Sequence, residues 1–122
     1  MSLMLLDIDH FKSINDSMGH LEGDRILTEF VGHINNVLRR GDLMGRFGGE
    51  EFVVLLPETA GDVAKMAAER VRTAVEGLGG PTVSIGVTSS LANGDSVDAM
   101  LMRADNAMYR AKSKGRNRVE VI

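Results

Sequence analysis

The sequence predicts an α/β (α+β) fold with a mixed, largely antiparallel central sheet of about five strands flanked by helices. Three observations carry this. Segments with strand-like and helix-like spacing follow one another in the order β, α, α, β-hairpin, α, β, α, β. The Gly48-Gly49 pair inside that alternation signals a hairpin, which a doubly wound parallel sheet does not contain. Finally, 122 residues, 43% of them hydrophobic and 25% charged, suit one soluble domain across 1–122 with one core.

The elements follow in order. "LMLLDID" (3–9) reads as a buried strand ending in acids, and "FKSINDSMGH" (11–20) as a short helix or loop closed by Gly19. From Asp24 to Arg39, Ile26, Leu27, Phe30, Val31, Ile34, Val37 and Leu38 recur at helical spacing, and Gly41 is placed to end the helix. "DLMGRF" (42–47) and "EFVVLL" (51–56) are the hairpin strands, and Pro57 stops the second. "TAGD" (59–62) matches a capping box before a helix that buries Val63, Ala67, Val71, Ala74, Val75 and Leu78. "TVSIGVTS" (82–89) alternates like a strand, and "NGD" (93–95) is a turn. Val97, Met100, Leu101, Ala104 and Met108 mark a last helix, and "RVEVI" (118–122) closes as a strand.

Composition excludes several function classes. No apolar run reaches the ~20 residues of a membrane span, and there is no signal peptide. With no Cys there are no disulfides or thiolate metal sites, which agrees with a cytoplasmic setting. A net charge of −3, no Trp and one Tyr argue against a nucleic-acid polymer as partner. The eight Met sit mostly among apolar neighbours, as core filler does. No Walker A pattern occurs.

The chemistry concentrates in acids that stand where charge is normally excluded. Asp7 and Asp9, two apart, project from one face of the first strand; Asp9, just before "HFK", is read in preference as a cap of a turn or helix, a reading that competes for Asp7 as well. Glu50 and Glu51 open the most apolar strand, and alternation sends them to opposite faces, one of which Asp7 can reach. Such a cluster calls for a cation, and oxygen-only donors point to Mg²⁺ or Mn²⁺. Two metals on shared carboxylates suit in-line phosphoryl or nucleotidyl transfer. Lys12, Lys112 and Arg116 are cations for phosphate, or else solvated helix ends. Asn15 and Asp24 could read a guanine edge or cap locally, and "LRRGD" (38–42) reads by itself as a basic last turn before a glycine.

Taken together, "DIDHFKSINDSMGHLEGD" (7–24), "RFGGEEF" (46–52), "SIGV" (84–87) and "ADNAMYRAKSKGRN" (104–117) resemble the GGDEF family of diguanylate cyclases, in that family's order and at its spacing. The resemblance spans nearly the whole chain. It implies a sheet like that of the nucleotidyl cyclase and polymerase palm (ferredoxin-like), and condensation of two GTP into cyclic di-GMP with release of pyrophosphate. Asp7 and Glu50 are then metal ligands with the carbonyl of Ile8, and Glu51 is a further candidate for ligation and catalysis. Glu50 is the usual suggestion for drawing the proton from the 3′-hydroxyl. Asn15 and Asp24 correspond to guanine readers, Lys12, Lys112 and Arg116 to phosphate contacts, and His20 to a lesser ribose or phosphate contact. Gly19, His20 and Gly23 belong to a matching loop, and Gly48 and Gly49 lie against the nucleotide. Two Mg²⁺ (or Mn²⁺) per site are expected.

Further expectations come with the resemblance. Each domain is a half-site for one GTP, so turnover needs a homodimer. Arg39-Arg40-Gly41-Asp42 matches the family's Arg-x-x-Asp product-inhibition site, with Arg70 as its secondary arginine. The signature here is GGEEF, a common active variant, with Phe47 where Tyr is frequent. The family's opening helix and "D-x-L-T-G-L-x-N-R" block are absent. The chain therefore reads as the catalytic domain of a longer bacterial signalling protein with an upstream sensory domain. That parent is cytoplasmic or membrane-anchored, while this domain itself makes no membrane contact. The alternative is a catalytically silent regulatory module that binds cyclic di-GMP or GTP.

Overall fold

A computed structural model describes residues 1–122. The elements are β1 (Ser2–Ile8), α1 (Phe11–Met18), α2 (His20–Val37), β2 (Leu43–Arg46), β3 (Glu51–Leu56), α3 (Gly61–Glu76), β4 (Val83–Ser89), α4 (Val97–Ser113) and β5 (Arg118–Val121). The five strands form one sheet in the order β2-β3-β1-β4-β5. All neighbours are antiparallel except β4 and β5, so the sheet is mixed and largely antiparallel, as the hairpin signal requires. No helix is long and apolar enough to cross a membrane.

β1 is the central strand and is buried along its whole length, which is why it reads as a continuous apolar run rather than an alternation. Its two faces serve different layers. Met4, Leu6 and Ile8 join Phe52, Val54, Ile85 and Val87 in the larger core under α1, α2 and α3. Leu3 and Leu5 pack on the other side against Met100, Ala104 and Met108 of α4. Burial of side chains such as Ile34 and Phe30, which stacks on Phe52 at 5.7 Å, contributes about 1.5–3 kcal/mol each.

Helix α4 lies unusually close to the sheet, and Gly86 is the reason. A Cβ there would stand 2.1 Å from the Ala104 carbonyl oxygen and 2.4 Å from the Met108 amide nitrogen.

The structure corrects four expectations. Helix α2 begins at His20 rather than Asp24, so Gly23 lies inside a helix and not in a loop. It ends at Val37, and Gly41, at φ +98°, serves the turn beyond it. The capping box at 59–62 does not form: Ala60 is the N-cap without a side-chain bond, and the Thr59 hydroxyl donates to the Pro57 carbonyl at 2.9 Å. On α3 the core face is Ala64, Ala67, Ala68, Val71 and Val75, while Leu78 lies past the helix end and is exposed.

Candidate functional site

The C-terminal end of β1 and the tip of the β2–β3 hairpin meet through backbone pairing. Asp7 stands opposite Glu51, and the Ile8 amide donates to the Glu50 carbonyl at 3.3 Å. The hairpin tip is held by Arg46, whose guanidinium donates to the carbonyls of Gly48 and Gly49 at 3.2 and 3.1 Å. Alternation then separates the glutamates. Glu51 lies on the α4 side of the sheet, near Asp7, Asp105 and Lys112. Glu50 instead lines two adjoining cavities, one of which also takes in Asp7 and Lys112.

Asp7 is 5% exposed and forms an ion pair with Lys112 of α4. Its pKa is nevertheless raised: burial is the largest cause, opposed by Lys112 and reinforced by Glu50 and Asp9. The Glu51 pKa is raised too, first by burial and then by Asp7. One ammonium thus under-compensates a group of carboxylates.

The first cavity, of about 320 Å³, is lined by Lys12, Asn15, His20, Asp24, Gly49 and Glu50, among others. Asn15 Nδ2 and His20 Nδ1 are 3.0 Å apart. Asn15 folds over α2 because residue 23 is glycine; a Cβ there would lie 2.2 Å from Asn15 Oδ1. The second cavity, about 240 Å³, collects Asp7, Ile8, Lys12, Glu50, Lys112 and Arg116 with His10 and Ser13. Two of its residues, His10 at φ 59° and Arg116 at φ 65°, adopt the left-handed conformation that residues with a Cβ rarely take. Two larger grooves, of about 400 and 380 Å³, the second adjoining the first cavity at Leu27 and Arg46, hold none of these carboxylates or phosphate-candidate lysines.

Every sequence-predicted residue of the nucleotide site except Glu51 and Gly48 therefore lines one of two cavities that share Phe11, Lys12 and Glu50. No three Asp, Glu or His side chains surround a common point closely enough to hold a metal ion by themselves. The donor set is nonetheless all oxygen, and the raised pKa of Asp7 marks a place where added positive charge is favourable. These residues fit a divalent cation that takes part of its coordination from a ligand.

Asp9 caps no helix. It is 3% exposed and accepts from Thr82 Oγ1 (2.7 Å), Ser84 Oγ (2.7 Å) and the Asn117 amide (3.0 Å), which joins the ends of β1, β4 and α4. Sequence spacing gives no signal for this, or for Asn117, because the partners are remote in the chain; sequence reasoning also misses Arg46, although its partners, Gly48 and Gly49, are only two and three residues away. Arg39 and Asp42 form a reciprocal turn, the Arg39 amide donating to Asp42 Oδ2 at 2.9 Å and the Asp42 amide to the Arg39 carbonyl at 3.1 Å. Their side chains make no hydrogen bond or ion pair with Arg70, which is exposed on α3.

The sequence family model described as diguanylate cyclase, GGDEF domain matches residues 1–118. Diguanylate cyclase DgcM of Escherichia coli K12 is 48% identical over 123 residues, covering 97% of this chain and 30% of that protein. The chain thus spans less than a third of that relative's length. The GGDEF domain of DgcB from Caulobacter crescentus in complex with c-di-GMP superposes with a TM-score of 0.92 at 35% identity, covering 98% of this chain and 76% of that one. The active GGEEF domain of a diguanylate cyclase from Vibrio cholerae superposes with a TM-score of 0.91 at 33% identity, covering 98% and 81%.

Proposed function

The chain belongs to the diguanylate cyclase GGDEF-domain family, and on that premise we propose that it is one half-site of an enzyme condensing two GTP into cyclic di-GMP and pyrophosphate. The observation that carries this reading is the convergence of Asp7, Glu50, Lys12, Lys112 and Arg116 on one cavity, adjoining another that presents Asn15, His20 and Asp24. One polar cavity is sized and lined for a base and ribose, the other for phosphates and a cation.

The roles follow from chemistry and position. Asn15 and Asp24 offer an amide and a carboxylate to guanine, whose edge presents matching acceptors and donors. Lys12, Lys112 and Arg116 neutralise the triphosphate. Gly48 and Gly49 let the nucleotide approach the hairpin backbone, and His20 contacts ribose or phosphate. Asp7, Glu50 and the Ile8 carbonyl would hold the cation, two Mg²⁺ or Mn²⁺ per site, with Glu51 as a further candidate ligand. When bound, a divalent cation supplies Lewis acidity at the α-phosphate and stabilises the leaving pyrophosphate. Glu50, which lines this cavity, takes the proton from the attacking 3′-hydroxyl in this reading. Lys112, paired with Asp7 here, would be available to the phosphates where a cation neutralised that carboxylate. One such site holds one GTP, so the second 3′-hydroxyl comes from a second copy of the chain, and the parent protein works as a homodimer under an upstream sensory domain.

The test is to incubate the full-length parent with GTP and Mg²⁺ and identify the product. Cyclic di-GMP is expected, falling by about 100-fold or more in Glu50→Ala. Undiminished turnover by that variant would overturn the assignment of Glu50. Tight GTP binding with no product from a dimeric parent would instead favour a silent regulatory module.

Product inhibition is the second reading, and the Arg39–Asp42 turn favours it because it presents an exposed guanidinium on a fixed backbone. Arg39, Asp42 and Arg70 hold guanine edges and phosphates of cyclic di-GMP. Calorimetry should show binding lost in Arg39→Ala; binding that survives the substitution refutes the site.

A further inference from the structure

Helix α3 is tied to the loop after α4 by a clasp that the reaction itself does not use. Arg72 Nη1 donates to Asn117 Oδ1 at 3.2 Å, and Asn117 Nδ2 donates to the Glu76 carboxylate. Arg72 is in turn braced by Glu69 at 3.0 Å and Glu76 at 3.5 Å. Both ends of the Asn117 amide are thereby used, and its side chain is fixed in one orientation.

Packing does not require this clasp. Helix α3 already buries Ala64, Ala68, Val71 and Val75 completely against the sheet. What the clasp does constrain is backbone. Arg116 and Asn117 are consecutive left-handed residues, at φ 65° and 45°, a pairing that side chains with a Cβ disfavour and that persists only where the surroundings impose it. Here they are imposed from every side. The Arg116 amide donates to the Ala111 carbonyl at 2.9 Å, and Arg118 Nε donates to the Arg116 carbonyl at 3.1 Å. The Asn117 amide donates to Asp9, and the Asn117 side chain is held by α3. Arg116 has no ion pair of its own and sits on the rim of the cavity that holds Asp7 and Lys12.

We propose that the Arg72–Glu76–Asn117 clasp positions Arg116 for the nucleotide phosphates, so that helix α3 sets nucleotide affinity without touching the ligand. The proposal rests on the reading of Arg116 as a phosphate contact. Releasing Asn117 lets the left-handed pair relax, and the guanidinium then leaves the geometry in which it meets the triphosphate.

The experiment measures binding of a non-hydrolysable GTP analogue with Mg²⁺ to the full chain by calorimetry, with melting curves in parallel. Arg116→Ala should weaken binding about tenfold, and Arg72→Ala about five- to tenfold with little change in melting temperature. Glu76→Gln still offers an acceptor to Asn117 Nδ2 and should bind close to wild type. The double variant Arg72→Ala/Arg116→Ala should bind no more weakly than Arg116→Ala alone, because the clasp acts through that arginine. If Arg72→Ala unfolds the chain, Asn117→Gly replaces it: glycine can still donate its amide to Asp9 but has no side chain for the clasp and a backbone free to leave the left-handed region, and the same loss is expected. Wild-type affinity in Arg72→Ala or Asn117→Gly, or losses that multiply in the double variant, overturn the positioning role. Undiminished affinity in Arg116→Ala instead overturns the phosphate role of Arg116 itself.

Discussion

Two acid–base pairs brace α4 to the sheet, one at each end, and they are built to opposite specifications. At the N-terminal end Asp95 is saturated. It accepts from Arg103 Nη1 at 3.2 Å and again from Nη2, and from the amides of Leu91 and Ser96 at 3.2 and 3.0 Å. Arg103 also donates to Thr88 Oγ1 and the Ser89 carbonyl, both at 3.1 Å. The Arg103 hydrogen bonds hold the Asp95 pKa down at about 2. At the C-terminal end Asp7 has one ammonium partner and two neighbouring glutamates, and burial keeps its pKa raised. The same two residue classes thus make a closed structural joint where the donors suffice and leave an under-compensated acid where they do not.

The sharpest way to break this comparison is to neutralise each acid in place. Asp7→Asn in the full-length parent should cost about 100-fold or more in cyclic di-GMP formation, while the melting temperature holds or rises, because an under-compensated buried charge is removed. Asp95→Asn should do the reverse, lowering the melting temperature and sparing activity. The pH dependence follows with its sign. A depressed carboxylate contributes stability that is fully present above its ordinary pKa of 3.8 and is lost as pH falls through about 2. Wild type should therefore lose more stability than Asp95→Asn between about pH 4 and pH 2. Equal slopes there would show that the Asp95 joint carries no stability.

A second perturbation acts on both ends at once. Gly86 sets how close α4 comes to the sheet, so Gly86→Ala must push the helix outward from Ala104 and Met108. Overpacking of this kind costs about 1–3 kcal/mol or more, read by urea denaturation. It should also cut activity, since Lys112 rides on the same helix. Stability lost with activity intact would mean that the Asp7 end tolerates displacement of α4.

Much of this was legible in the sequence, for physical reasons that differ by region. The strands and helices carry their periods openly, and the opposition of Asp7 and Glu51 follows once the hairpin lies beside β1. The different directions taken by Glu50 and Glu51 follow from strand alternation alone. What was not legible depends on distance or on a local exception. Gly23 reads as loop, yet it lies within helix α2, where Asn15 occupies the space a Cβ would fill. Ala64 and Ala68 face the core, but alanine is too neutral in pattern to say so. Asp9 looks like a cap because its partners, Thr82, Ser84 and Asn117, lie 73, 75 and 108 residues away. Lys112 and Arg116 look like an ordinary basic helix end until the fold brings them to the carboxylates.

The smallest effect should come from the first turn of α4, just beyond the Asp95 joint. Ser96 is its N-cap, accepting from the Ala99 amide at 3.0 Å while its own amide donates to Asp95. Ser96→Ala removes only the first of these bonds and should cost about 1 kcal/mol in urea denaturation, with cyclic di-GMP formation unchanged. The backbone bond to Asp95 and the four Arg103 contacts remain to hold the helix start. A loss as large as that of Asp95→Asn would mean that the cap and the ion pair form one cooperative unit. The joint would then owe its stability to the whole loop rather than to the saturation of one carboxylate, and the contrast with Asp7 would rest on loop order instead of donor count.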